Sequence, residues 1–356
     1  MKITFLVNQY ARISGGNRAL FEYANRLQRK GCEVRWFVMP PRVKWSRPLK
    51  KIKTYFDDGT IKPASSVDWM ENSLPIEILP RKDAALIPDA DVFVATAWQT
   101  AEFAATLPEK AGRKFYFIQH HESLWMRDQK TAEQTYQLPF QKIVISTWLG
   151  DLLRDQYGQS AHVLVTPVNS EVFYPAEKIW NSPRRVCMLH HDYDWKGFDD
   201  GIAAIQQTRA AGETVNLVVF GEKLADPAPL FRKAGFDFEY HYRPTKEKLR
   251  DIYASSDIYL CPSWHEGLGM PPMEAMACGS ALVTTDTGGC RDYAIDGETA
   301  LVSPPKDASA LSQNLLSLLR DEQLLFALAE RGQKKILSMN WDTNCNELLE
   351  LFKNKR

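Results

Sequence analysis

Short apolar runs alternate with amphipathic stretches through the first half of the chain: KITFLV, NRALFEYANRLQRKG and EVRWFVM, then DVFVATA, KFYFIQ and KIVIS. The runs have the length of buried strands. Between the first and second, Leu20, Tyr23, Ala24 and Leu27 recur at a helical period and Gly31 stands where a helix would close. Strand, helix, strand at this spacing predicts parallel βαβ units. TPVNSEVFYPAEKIWNSP, residues 166–183, breaks the rhythm with three prolines and reads as a connector. The alternation then restarts. RVCML, VNLVVFG, FEYHY, DIYLCP, ALVTT and ALVSP are strand candidates, with FDDGIAAIQQTRAAG, KEKLRDIYASS and PPMEAMACG as helices between them. The expected architecture is α/β: two Rossmann-like parallel-sheet domains, residues 1–165 and 184–338, facing across a cleft, with a last segment at 339–356. Open parallel sheets gather their loops at the carboxyl ends of the strands, so ligand-binding motifs should follow strands.

Composition narrows this picture. A chain of 356 residues is long enough for two full cores, and 44% hydrophobic with 25% charged residues is a globular balance. Its 44 basic and 44 acidic residues cancel, which leaves no global field to hold a polyanion and argues against nucleic acid as a partner. The apolar run Ile3 to Val7 is too short for a secretory leader core, and no stretch approaches the roughly 20 apolar residues of a membrane span. Six scattered cysteines without a CxxC pair point to reduced, buried thiols, hence a cytoplasmic protein and no zinc site.

The richest stretch is HEGLGMPPMEAMACG, His265 to Gly279. It follows the strand DIYLCP. Pro271 and Pro272 suit the first turn of a helix and Gly279 its end, so the helix N-terminus is expected at the cleft. Gly267 and Gly269 let a ligand approach the backbone, and the amides of Gly267, Leu268, Gly269 and Met270 are candidates to face it. Beside a diphosphate, Glu266 and Glu274 make sense as acceptors from hydroxyl groups, one on a sugar and one on a ribose. The competing reading gives both glutamates structural roles in a loop and a first turn.

Ser263, Glu266, Gly267, Gly269, Pro271, Glu274, Ala275, Met276, Ala277, Cys278 and Gly279 resemble the signature of family-4 glycosyltransferases of the GT-B fold. ALVTTDTGGCRDYAIDGETALVSPP is similar to the run that follows it there, with Gly288, Gly289, Asp296 and Gly297 in place. ISGGNRALFEYANRLQRKGCEV and VNSEVFYP resemble the family's first loop and helix and its linker. The resemblance implies a retaining transferase in which Glu266 contacts the donor sugar, Glu274 the ribose, and Lys196 of HHDYDWKGF the diphosphate. It implies an arginine five residues before that lysine, where this chain has His191. Either His191 supplies a weaker donor, or Arg243 or Arg291 substitutes, or catalysis is impaired. NWDTNCNELLELFKNK is similar to the family's final helix, which crosses back to the first domain; Leu348, Leu349 and Phe352 would make that contact.

In FYFIQHHESLW the resemblance places a histidine near the donor sugar; His120 fits better than His121, and a polar strand end is the plain alternative. Gly15 and Gly16 suit close approach to donor or acceptor, and the absence of GxGxxG order disfavours a dinucleotide enzyme. Asp192 to Asp194 reads as loop acid, since the GT-B fold requires no metal. Residues 42–56 interleave Arg42, Lys44, Arg47, Lys50, Lys51 and Lys53 with aromatic and aliphatic side chains, suited to an anionic membrane surface at its inner face or to a solvated loop. The expected function is transfer of a hexosyl or deoxyhexosyl unit from a nucleotide-diphosphate sugar to a saccharide or lipid-linked saccharide, with catalytic His120, Lys196 and Glu266 and no cofactor. A silent nucleotide-sugar or glycan binder is the alternative, and a GT-B epimerase or phosphorylase a third.

Overall fold

A computed structural model describes residues 1–8, 15–40, 62–63, 74–125, 129–175 and 177–354. The basic segment 42–56 and residues 9–14 lie outside the described residues. The chain divides into two compact units. The first comprises Met1–Ile145, Leu149–Leu164 and Asp342–Arg356, the second Ser146–Trp148 and Val165–Trp341.

The first unit is built on β1 (Lys2–Val7), β2 (Glu33–Val38), β3 (Lys62–Pro63), β4 (Ile76–Ile78), β5 (Val92–Ala95), β6 (Arg113–Ile118), β7 (Gln141–Val144) and β8 (His162–Val163). They form one sheet in the order β3-β4-β2-β1-β5-β6-β7-β8, parallel except where β3 meets β4. Its helices are α1 (Gly15–Arg29), α2 (Trp98–Ala104), α3 (Gln129–Thr135) and α4 (Thr147–Tyr157). Helices against a parallel sheet explain why the central strands carry continuous apolar runs, as in ITFLV of β1 and FYFI of β6. The face of α1 read from the sequence, Leu20, Tyr23, Ala24 and Leu27, is buried, and Phe21 beside it stacks on Trp36 of β2 at 4.0 Å. Strand β4 has only three residues, too few for a periodic signal.

In the second unit β9 (Arg184–His190), β10 (Val215–Gly221), β11 (Glu239–Tyr242), β12 (Ile258–Cys261), β13 (Ala281–Thr285) and β14 (Leu301–Ser303) form an all-parallel sheet in the order β11-β10-β9-β12-β13-β14. All six coincide with strand candidates of the sequence, although β11, EYHY, is polar and half-exposed. The helices α5 (Phe198–Ala210), α6 (Ala228–Ala234), α7 (Lys246–Ser255), α8 (Met270–Ala277), α9 (Ala308–Arg320) and α10 (Glu322–Leu337) connect and cover them. Thr245, Asp307 and Asp321 cap α7, α9 and α10 through their side-chain oxygens.

The stretch expected as linker, 166–183, is held on the second unit. Lys178 Nζ donates to the carbonyls of Ala254 and Ser256, and Asn181 bonds the buried carboxylate of Asp257 through its backbone and side-chain nitrogens. A buried ammonium and a buried carboxylate both require such partners, which is why the connector is ordered here. After α10 the last helix, α11 (Trp341–Lys353), belongs to the first unit from Asp342 onward. Leu348 and Phe352 are buried there, Phe352 lies 4.8 Å from the ring of Phe115, and Arg113 donates to the carbonyls of Phe352 and Asn354. All six cysteines are buried and unpaired. Among the described residues no helix is long and apolar enough to cross a membrane.

Candidate functional site

The second sheet reverses its winding at β9: the chain moves outward to β10 and β11, then returns to the other side of β9 with β12. Ligands of open parallel sheets bind at such a switch point. The β9–β12 ladder pairs only Val186 with Ile258 and Cys187 with Tyr259, so the strands part toward their carboxyl ends. Leu189, Lys196, Cys261, Ser263, Glu266 and Pro271 line the resulting crevice.

Two tight loops enter it. After β9, Asp194–Lys196 forms a single 3-10 turn and Gly197 follows with φ of 62°. A Cβ on Gly197 would stand 2.0 Å from the Pro262 carbonyl oxygen, so only glycine lets this loop reach the one after β12. Trp264 N–H donates to the Trp195 carbonyl at 2.7 Å and ties the loops together. The result brings two of the expected site residues into contact: Lys196 Nζ donates to both oxygens of Glu266, at 2.7 and 2.9 Å. Their side chains are 19% and 12% exposed, far less than those of a surface ion pair.

Glu266 is fixed through its backbone, whose N–H donates to the Thr287 carbonyl at 3.0 Å. Gly289 packs so closely that its Cβ would lie 2.5 Å from the Gly267 oxygen, which gives the paired glycines of the sequence their steric reason. Gly267, Leu268 and Gly269 lead into α8, with Gly269 at φ of 94° and its carbonyl accepting from the buried Tyr293 hydroxyl at 3.2 Å. Pro271 and Pro272 do occupy the first turn, and neither carries an N–H. The helix tip therefore offers fewer donors than an ordinary first turn, with Met270 supplying one of those that remain. Glu274, 2% exposed, takes a hydrogen bond from the Tyr253 hydroxyl at 3.3 Å. Gly279 ends the helix in the left-handed region at φ of 90°.

The positions weighed for the diphosphate separate. His191 Nδ1 accepts the Tyr193 N–H at 3.1 Å, and its ring lies 4.2 Å from that of Tyr193, tilted by 35°. Arg291 is engaged in a fork with Asp286 at 2.7 to 3.2 Å, which holds the Asp286 carboxyl below its ordinary range. Arg243 ends β11 in the left-handed region with φ of 47°, its guanidinium 6.0 Å from the Tyr242 ring. Sequence reasoning missed Tyr253 and Tyr293; as buried aromatics in amphipathic segments they carry no signal beyond core packing. Among the described residues no group of three or more His, Cys, Asp or Glu is placed to hold a metal.

In the first unit Gly15 and Gly16 open α1, and a Cβ on Gly16 would meet the Gln119 side chain at 2.7 Å, next to His120. His121 is turned into the interior: Nε2 lies 2.9 Å from the Tyr157 hydroxyl and 2.8 Å from the Ser123 hydroxyl, and burial lowers its pKa. Beside it Glu122 accepts from Trp98 N–H, at the start of α2, at 2.7 Å. Burial outweighs that bond and pushes the Glu122 carboxyl up to about 7, against an ordinary value of 4.5. The folded protein thus holds this proton more tightly than the unfolded chain. The stability it contributes is full below the unfolded value and is lost as pH rises through about 7. Chemical denaturation at pH 5 and pH 8 is expected to show Glu122→Gln removing a decline of roughly 2–3 kcal/mol present in the wild type.

Residues 169–335 match the family model described as glycosyl transferases group 1. That stretch is similar to a glycosyltransferase group 1 domain. The O-antigen biosynthesis protein RfbC of Myxococcus xanthus is 24% identical over 358 residues, covering 98% of this chain and 26% of that protein. An N,N'-diacetylbacillosaminyl-diphospho-undecaprenol alpha-1,3-N-acetylgalactosaminyltransferase of Campylobacter jejuni is 30% identical over 112 residues, 32% of this chain and 30% of that protein. The chain spans less than a third of the length of these curated relatives. Anabaena Alr3699/HepE, solved in complex with UDP and glucose, superposes with a TM-score of 0.77 at 15% identity over 99% of both chains, a likeness of fold. Two parallel-sheet α/β domains of the GT-B kind are therefore the architecture.

Proposed function

We propose that the protein is a retaining glycosyltransferase that moves a hexosyl or deoxyhexosyl unit from a nucleotide-diphosphate sugar to a saccharide or lipid-linked saccharide. The observation that carries this reading is the Lys196–Glu266 pair at the crevice between β9 and β12, inside the group 1 domain. A cation beside a carboxylate meets the two chemistries of a nucleotide sugar: Lys196 takes phosphate oxygens, Glu266 takes sugar hydroxyls. Glu274, at the next turn of structure and steadied by Tyr253, is assigned to the ribose. The amides of Gly267, Leu268, Gly269 and Met270 face the donor. In the first unit His120, next in sequence to the Gln119 that packs on Gly16, is assigned to the donor sugar. The relatives named for O-antigen and undecaprenol-linked synthesis support a glycan acceptor, lipid-linked in one case.

Catalysis on this reading is positioning and charge stabilisation. The leaving diphosphate gains negative charge as the glycosidic bond breaks, and Lys196 takes up that charge once the sugar hydroxyls have replaced it on Glu266. The departing phosphate accepts the acceptor's proton on the same face, so no carboxylate serves as nucleophile and no cofactor is assigned a step. The test is a thermal-shift screen of UDP, GDP, dTDP and ADP with their sugars. A matched donor at 100 times its dissociation constant is expected to stabilise by about 2.7 kcal/mol, and no shift with any of them would overturn the assignment.

His191 favours a second reading. With Nδ1 engaged by Tyr193 N–H it cannot make the two-pronged phosphate contact of a guanidinium, as expected of a silent nucleotide-sugar binder. Release of free sugar from the donor by the purified protein decides against that alternative; binding without any turnover decides for it.

A further inference from the structure

Lys196 and Glu266 are bonded to one another at the place where two parts of one ligand have to be recognised. The ammonium engages both carboxylate oxygens, at 2.7 and 2.9 Å, and the carboxylate side chain is 12% exposed. A carboxylate so poorly hydrated depends on its partner, and withdrawing the cation leaves a charge that water only partly repays. Neither backbone can drift to relieve it: Glu266 N–H is bonded to Thr287, and the loop of Lys196 is locked against Pro262 and Trp264.

We infer that this ion pair makes the site discriminate a whole nucleotide sugar from a bare nucleoside diphosphate. The inference rests on the donor-site assignment proposed above. A bare diphosphate draws Lys196 away and gives Glu266 nothing in return. A nucleotide sugar draws on Lys196 with its phosphates and delivers hydroxyl donors to Glu266 in the same event, so both groups keep partners. The pair therefore weakens the product nucleotide more than the donor. After transfer, the return of Lys196 to Glu266 assists product release, a step that limits many enzymes.

One consequence has the opposite sign from simple contact loss. Neutralising Glu266 removes a sugar contact but frees Lys196, so affinity for the bare diphosphate rises. The experiment is isothermal titration of the full chain as wild type, Glu266→Gln, Lys196→Met and the double variant. The probes are UDP, GDP, dTDP and ADP with UDP-glucose, GDP-mannose, dTDP-glucose and ADP-glucose, followed up with the base that wild type binds tightest. Glu266→Gln is expected to bind that diphosphate about tenfold more tightly and to lose about tenfold of its preference for the sugar-bearing form. In the Lys196→Met background the same substitution is expected to leave diphosphate affinity unchanged. Equal tightening in both backgrounds would reveal plain carboxylate–phosphate repulsion and overturn the inference. Unchanged or weaker diphosphate binding by Glu266→Gln also overturns it, while leaving the donor site standing. Failure of every probe to bind wild type overturns the donor site itself, and the inference with it.

Discussion

Lys196→Ala is expected to lower the turnover of a verified donor by about three orders of magnitude, with the fold retained. The lysine is 19% exposed and held on one partner, so its charge acts in a poorly screened setting rather than in bulk water. Loss of one preorganised group facing developing negative charge typically costs 10²–10³ in kcat, about 3–4 kcal/mol. The upper end applies because Arg291, one of the cations weighed for the leaving group, is committed to a fork with Asp286. Stability should fall by only about 1 kcal/mol, since Glu266 then keeps some contact with water. The informative pair of measurements is initial rate under donor saturation and the urea midpoint. Near-wild-type turnover with an unchanged midpoint would remove Lys196 from the chemistry.

Much of this was legible in the sequence, for reasons that differ by residue. The inner strands of the second unit carry short apolar runs because a parallel sheet covered on both faces leaves no polar side to alternate with, whereas β11, EYHY at the sheet edge, is half-exposed and polar. The face of α1 was readable because an amphipathic helix repeats its pattern over four turns; β4, three residues long, has no room to. Glu266, Glu274 and the glycines around them were legible because their geometry is local, one loop running into one helix. What sequence could not give is contact across the switch point. Lys196 and Glu266 are 70 residues apart, and nothing in WKGF or HEGLG states that they bond. Nor could it show that Arg291 is committed to Asp286, or that Tyr253 reaches Glu274: those facts arise from packing. The contacts within the expected linker are of the same kind: Lys178 and Asn181 bind it to the second unit, and no local pattern announces them.

Gly197→Ala carries the largest expected effect on stability, and the argument ends at the same ion pair. Gly197 sits at φ of 62° as the residue before α5, a conformation that costs an alanine roughly 1 kcal/mol in itself. The larger cost is steric. Its added carbon would stand 2.0 Å from the carbonyl oxygen of Pro262 and 2.8 Å from the carbonyl carbon, both backbone atoms that no rotamer change can move. Relief requires the loop after β9 to retreat from the loop after β12, which breaks the Trp264 to Trp195 hydrogen bond and pulls Lys196 off Glu266. Strain, one lost backbone bond and one uncompensated carboxylate together predict a loss of roughly 3–5 kcal/mol. The variant should also lose most transferase activity even under conditions where it remains folded, because the lysine is displaced though its charge is intact. Calorimetric unfolding paired with donor titration checks this. A variant that melts with the wild type and binds donor equally well would show that the two loops do not depend on their contact at Gly197, and the local basis for the site would have to be sought elsewhere in the second unit.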